Sequence, residues 1–143
     1  MIFNVMNRHT GETQFSAEIE CSEAEPRGVK LGLSVQWAAR NKANLNYADL
    51  SDADLSGANL RRADLIGANL TGVNLSYTDM RWGKLSRANL SYATLIGSNL
   101  RDANLTYANL RGATLIGATL RRADLRGADM RGVDLRGADL IWS

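Results

Sequence analysis

The chain has 143 residues, seventeen basic and fifteen acidic, for a formal charge of +2. That near-balance gives no strong pull toward nucleic acid or an acidic membrane surface, and a single cysteine excludes both an internal disulfide framework and a Cys-rich zinc site. No stretch approaches the roughly 20 apolar residues of a spanning helix, and "MIFNVMNRHTGE" lacks the layout of a signal peptide, so the expected location is cytoplasmic, with no membrane attachment.

The length suits one domain, and two segments divide it. Residues 1–42 read as a hairpin over 2–20 followed by a helix over 26–40. Phe3 and Val5 alternate, as do Phe15, Ala17 and Ile19, and "HTGE" supplies the turn between them. Pro26 can open a helix at its first position, after which Val29, Leu33 and Trp37 recur every four residues as an apolar row. His9 falls in the turn as a solvated loop residue. Cys21 stands alone after the second strand with no identifiable base to activate it.

Residues 43–142 are a repeat of period five. Every fifth residue from Leu45 to Leu140 is Leu, except Met80 and Met130. Two before each stands Ala in fifteen of twenty cases, the others being Val73, Thr78, Gly83, Ser98 and Val133. Just before each Leu comes Asn, Asp or Thr, except at Lys84, which marks a candidate loosened side. A helix advances about 100° per residue and would scatter these leucines around its axis, whereas a straight strand would point them alternately to opposite faces. A backbone that turns a corner every five residues brings them together, with Ala and Leu inward because residues two apart share a direction. "ATLIG" at 93–97 returns at 113–117, and Arg61, Arg81, Arg101 and Arg121 keep a constant offset. Both echoes give twenty residues per turn, hence four sides and about five coils stacked at ~4.8 Å.

The stretch "ANLNYADLSDADLSGANL" resembles the pentapeptide-repeat family, whose pattern is A-[DN]-L-x-x. The resemblance implies an all-β solenoid, a right-handed quadrilateral β-helix with Leu at the centre of each side. A solenoid needs covered ends, so the hairpin and helix are expected to cap the first coil. Similar leaders precede the repeats in some bacterial and phage members of the family.

No enzyme, cofactor or metal site emerges, and there is no candidate catalytic residue. Asp124, Asp129, Asp134 and Asp139 fall on successive sides a quarter-turn apart, so they diverge instead of sharing an ion. Glycines such as those in "RGADMRGVD" match no phosphate loop and suit corners. The informative surface is one face bearing Arg61, Arg62, Arg81, Trp82, Arg101, Arg121, Arg122 and Trp142, opposed by Asp79, Asp102 and Asp139. Stacked arginines repel unless paired, solvated or bound to an anion, and their forks suit carboxylate and phosphate. Asn69, Asn89 and Asn109 form an expected amide ladder on the opposite face, and Tyr47 and Tyr107 share a third. At the far end, Leu125, Met130, Leu135 and Leu140 would form a terminal layer. With Ile141 and Trp142 buried against a second copy, it is expected to make a homodimer through the C-terminal coil.

The expected function is that of a non-enzymatic interaction scaffold, presenting the Arg/Trp face to a protein partner whose identity the sequence does not give. The alternative is a nucleic-acid-related role. Some members of the resembled family mimic duplex DNA and occupy DNA gyrase, but they need a strongly acidic surface, and these repeats hold twelve bases against ten acids. Direct phosphate-backbone binding is disfavoured equally, since three Asp oppose six Arg on that face.

Overall fold

A computed structural model describes residues 1–41 and 43–141. Strand β1 (Ile2–Met6) pairs antiparallel with β2 (Thr13–Glu18), setting Phe3 opposite Ala17 and Val5 opposite Phe15. Alternation buries Val5, Ala17 and, just past the strand, Ile19. The connecting turn is closed by Asn7, whose side-chain oxygen accepts the N–H groups of His9 and Thr10, and by Gly11 at a φ of 71°.

Helix α1 (Arg27–Asn41) starts directly after Pro26. Its buried residues are Leu31, Gly32, Ser34, Val35 and Ala38, not the expected row of Val29, Leu33 and Trp37, which are half-buried. Gly28 and Gly32 explain the difference. They lie one turn apart, and a β-carbon on either would collide with the carbonyl oxygen of Asp52 or Asp54. This glycine edge is therefore the one that can press against the coil. Trp37 faces the hairpin instead, stacked on Phe15 with ring centroids 6.2 Å apart. Among the described residues no helix is long and apolar enough to cross a membrane.

Beyond the helix, parallel bridges join each residue before a Leu to its counterpart twenty residues ahead, from Asp49–Asn69 to Thr119–Asp139. One turn of the coil thus takes four sides of five residues. Leu95 N–H donates forward to Thr114 O at 2.7 Å, while Asn99 N–H donates backward to Thr78 O at 2.9 Å. At the corner between sides, Ala93 N–H returns to Leu90 O at 3.1 Å. That closes a β-turn whose third residue is left-handed, the signature of type II, with φ at 59° for Tyr92 and 68° for Gly112.

The interior is a dry column. Every Leu or Met on the repeat from Leu50 to Leu120 is at most 1% exposed. Thr78 and Ser98 occupy Ala slots without leaving a polar group unpaired, because their hydroxyls donate to Leu75 O and Leu95 O at 2.7 and 2.8 Å. Lys84 does not loosen its side. Its N–H reaches Ala63 O and its carbonyl accepts from Leu65, both at 2.9 Å, and its ammonium group lies 3.1 Å from Asp64 one coil back.

The hairpin and helix lie on the first coil. Asp49 N–H donates to Met6 O and Arg8 N–H to Tyr47 O, each at 2.8 Å, and Asp54 N–H donates to Gly28 O at 3.0 Å. The Arg8 guanidinium reaches Gly67 O at 2.9 Å. The side chain of Gln14 donates to Asn44 O and Asn46 O at 2.7 and 2.6 Å.

Because the column has no slack, Leu95→Ala should lower stability by about 2–5 kcal/mol. Leu95→Asp should place an unpaired carboxylate in the column and unfold the neighbouring coils. Thermal denaturation followed by circular dichroism checks both, and an unchanged melting temperature for either variant would contradict the buried column.

Candidate functional site

The Arg/Trp face is built by the corner geometry. Arg61, Arg81, Arg101 and Arg121 open successive stacked sides, and Arg62, Trp82, Asp102 and Arg122 follow as the left-handed corner residues, with φ of 58–59°. The repulsion expected of stacked arginines is relieved by pairing. Asp79 takes Arg81 through two side-chain hydrogen bonds of 2.9 and 2.6 Å and lies 4.0 Å from Arg61. Asp102 joins two coils, 3.4 Å from Arg101 and 3.0 Å from Arg122, and Arg121 reaches Asp139 at 2.5 Å. The hydrogen bonds from the Arg81 side chain, and then its backbone N–H and the nearby positive charges, hold the Asp79 carboxyl below its ordinary value against the opposing effect of burial.

At the N-terminal end of this face, three guanidinium groups surround one indole. Arg61, Arg62 and Arg81 lie 5.1, 5.6 and 5.8 Å from the Trp82 ring centroid, within cation–π range, while Trp82 remains 41% exposed. Trp142 lies outside the described residues.

At the other end of the rod the inward residues lose their cover. Leu125, Met130, Leu135 and Leu140 are half-buried, whereas Leu105, Leu110, Leu115 and Leu120 one coil below are fully buried; Ile141 is 61% exposed. A charged girdle surrounds this layer. Arg126, Arg131 and Arg136 fork onto Asp124, Asp129 and Asp134 respectively, with closest contacts of 2.5–2.6 Å. Each carboxylate of the series serves its own side. The pairing was visible in the sequence as Asp two residues before Arg, since such residues point the same way; reading the aspartates alone misses it.

The amide ladder takes a less regular form than a simple stack. Asn69 donates to Asp49 at 2.9 Å and Asn109 to Asn89 at 3.1 Å, but Asn89 donates sideways to Thr71 Oγ1 at 2.9 Å. The tyrosines have a role that sequence reasoning missed. The rings of Tyr47, Tyr77, Tyr92 and Tyr107 lie on Gly67, Gly97, Gly112 and Gly127, where a β-carbon would fall 2.5–2.8 Å from ring carbons. The available signal was a glycine twenty residues after each tyrosine. His9 packs beside Tyr47 with centroids 5.5 Å apart, and Cys21 Sγ lies 3.7 Å from Met1 Sδ.

The family described as pentapeptide repeats matches this chain in eight copies over residues 41–83, 84–122 and 103–140. Among solved structures, the pentapeptide repeat protein Rfr23 from the cyanobacterium Cyanothece 51142 is 35% identical over 69% of this chain and 65% of its own, with a TM-score of 0.39. HetL from the cyanobacterium Nostoc, a pentapeptide repeat protein involved in heterocyst differentiation regulation, is 34% identical over 63% of this chain and 52% of its own, with a TM-score of 0.39. A pentapeptide repeat protein of the Arabidopsis thaliana thylakoid lumen is 32% identical over 57% of this chain and 61% of its own, with a TM-score of 0.40. The chain thus spans 52–65% of the length of these three. No curated protein matches it.

The girdle predicts an acid response. Side-chain hydrogen bonds from Arg126, Arg131 and Arg136, followed by the backbone N–H groups of the same residues, hold Asp124, Asp129 and Asp134 below the ordinary 3.8, with Asp129 lowered to about 2. A carboxyl lowered on folding stabilises the fold above its unfolded value and gives up that contribution as pH falls through the folded value. The melting temperature should therefore hold steady from neutral pH down to about 5 and fall between about pH 4 and pH 2. The fall should be smaller in the triple variant Asp124→Asn/Asp129→Asn/Asp134→Asn, and a fall of equal size there would contradict the assignment.

Proposed function

The chain belongs to the pentapeptide-repeat family, and from that premise we propose that it is a non-enzymatic interaction scaffold whose Arg/Trp face receives a protein partner. Members of the family form right-handed quadrilateral β-helices and in general act as scaffolds without catalysis. The observation that supports the choice of face is the half-exposed Trp82 surrounded by Arg61, Arg62 and Arg81. Tryptophan and arginine are the side chains most enriched where partners bind tightly. About five coils at ~4.8 Å make a rod of roughly 24 Å, long enough to hold these groups at fixed spacing with no lost loop entropy on binding.

In the same proposal the hairpin and helix cap the first coil, and the far end associates with a second copy. Leu125, Met130, Leu135, Leu140 and Ile141 offer apolar contact there, and the Asp–Arg pairs surround them as a polar rim.

The test of the face is the double variant Arg81→Glu/Arg101→Glu, compared with the unaltered chain as bait against a host lysate. The expected result is a protein captured by the unaltered chain and lost by the folded variant; equal capture by both would end the proposal. A gyrase supercoiling assay and a low-salt filter-binding assay with duplex DNA should both be negative, and a positive result in either would favour the nucleic-acid reading. Light scattering at high concentration should give twice the monomer mass, falling to the monomer on Leu135→Glu. A monomer mass for the unaltered chain would remove the self-association.

A further inference from the structure

We infer that the ligand-taking part of the Arg/Trp face is its N-terminal corner, Arg61, Arg62, Arg81 and Trp82 with the groove below it, and that the occupant is an extended acidic peptide segment of a protein partner. This rests on the reading of the face as a protein-binding surface and narrows it to a site and a ligand chemistry.

Charge is distributed unevenly along the face. Toward the C-terminal end, Arg101 and Arg122 share Asp102 and Arg121 has Asp139. At the Trp82 corner one carboxylate serves two of three arginines. Asp79 is clamped by Arg81 at 2.6 Å, Arg61 lies 4.0 Å away from it, and Arg62 makes no ion pair among the described residues. The surplus positive charge therefore sits around the indole. An aromatic face holds a guanidinium in place without neutralising it, so the donor forks stay oriented and available to carboxylates.

Arg61 and Arg62 also form the rim of a groove. A cavity of about 270 Å³ lies between the end of α1 and the first coil, floored by Ala38, Ala39, Ala43 and Leu60. Leu45 and Ala63 complete its apolar lining, suited to one or two aliphatic side chains beside the rim, where the carboxylate of Asp64 also lies, paired with Lys84 at 3.1 Å. Asn59 lines the same cavity. In later coils the corresponding N–H groups of Asp79, Asn99, Thr119 and Asp139 donate to a carbonyl one coil below, whereas that of Asn59 has no such acceptor among the described residues. An extended peptide can supply a carbonyl to this donor, an apolar side chain to the floor and a carboxylate to Arg61 or Arg62, the elements of recognition at a sheet edge. A nucleic-acid backbone fits less well, because it needs cations along its length and here Asp79, Asp102 and Asp139 interrupt them.

The experiment uses the full chain carrying Trp37→Phe and Trp142→Phe, so that Trp82 is the sole tryptophan. It is titrated at low salt with an eight-residue peptide alternating Glu and Val, with the same peptide carrying Lys for Glu, and with a duplex oligonucleotide. The expected result is a saturable change in Trp82 emission with the Glu peptide alone. Its affinity should fall roughly tenfold or more in Arg61→Glu/Arg62→Glu and be unchanged in Arg126→Glu/Arg131→Glu, each variant keeping the parent circular dichroism spectrum. No saturable response to the Glu peptide, an equal response to the Lys peptide, or a response to the duplex in its place would overturn the inference. Lysate capture separates the two levels. Capture sensitive to Arg81→Glu/Arg101→Glu without a peptide response leaves the scaffold face standing and removes this site. A peptide response alongside capture insensitive to that variant keeps the site and removes the broader reading.

Discussion

Each Leu or Met N–H from Leu50 to Leu120 donates to a carbonyl nineteen residues ahead, and from Asn69 onward the residue before each Leu or Met donates to a carbonyl twenty-one residues behind. This two-way ladder is the constraint on which the rest depends. It fixes the turn at twenty residues, makes the four sides equal and stacks like positions at one strand spacing. The leucine column is dry because the ladder leaves no polar backbone group to be satisfied inside it. The same ladder sets the height of every outward side chain, so an Asp on one coil meets an Arg on the same or the next, as Asp102 does with Arg101 and Arg122.

The ladder has a conformational cost, met at the corners. Each corner holds one residue in the left-handed region, and ten of these residues are not glycine, at about 1–2 kcal/mol each. Two local devices offset it. The Asp or Asn before a Leu, Asp64 excepted, accepts the N–H of the residue two ahead, as Asp54 does from Ser56 at 3.1 Å and Asn99 from Arg101 at 3.2 Å, an Asx turn that favours the bend. Each tyrosine at a corner covers the glycine of the following coil, filling the space that the absent side chain leaves. The [DN] preference of the repeat is thus a corner preference; after Lys84, which cannot form an Asx turn, the backbone bonds of Arg87 and Ala88 still hold the corner, with Arg87 at a φ of 59°.

Most of the architecture was legible because a period of five admits few solutions. The leucine spacing gave the inward column, and the offset of Arg61, Arg81, Arg101 and Arg121 gave the turn. Helix α1 was legible, but its apolar row did not mark the edge that packs on the coil; Gly28 and Gly32, one turn apart, signal the close approach that the coil carbonyls require. The Arg face was legible as a stack, but its pairing was not. Whether Asp102 turns to Arg101, Arg122 or both depends on rotamers that spacing leaves open. The Trp82 cluster belongs to the same class, since sequence offset places the three arginines near the indole but not around it. A bare count of charge along the face therefore overstates its usable positive potential and hides where that potential is concentrated.

Amide hydrogen exchange tests the central claim most directly. Between Leu65 and Leu120 four of five amides bond to backbone, while the residue after each Leu, there and in the first coil, bonds only to an Asx side chain or to none, as at Ser51, Ser56 and Arg101. Exchange should show a five-residue rhythm, with fast amides at positions such as Ser56, Arg101 and Thr106 and the slowest at leucines from Leu65 to Leu110. Protection in unbroken runs, or fast exchange at Leu70 and Leu90, would contradict a backbone that bends at each fifth residue around a single dry interior.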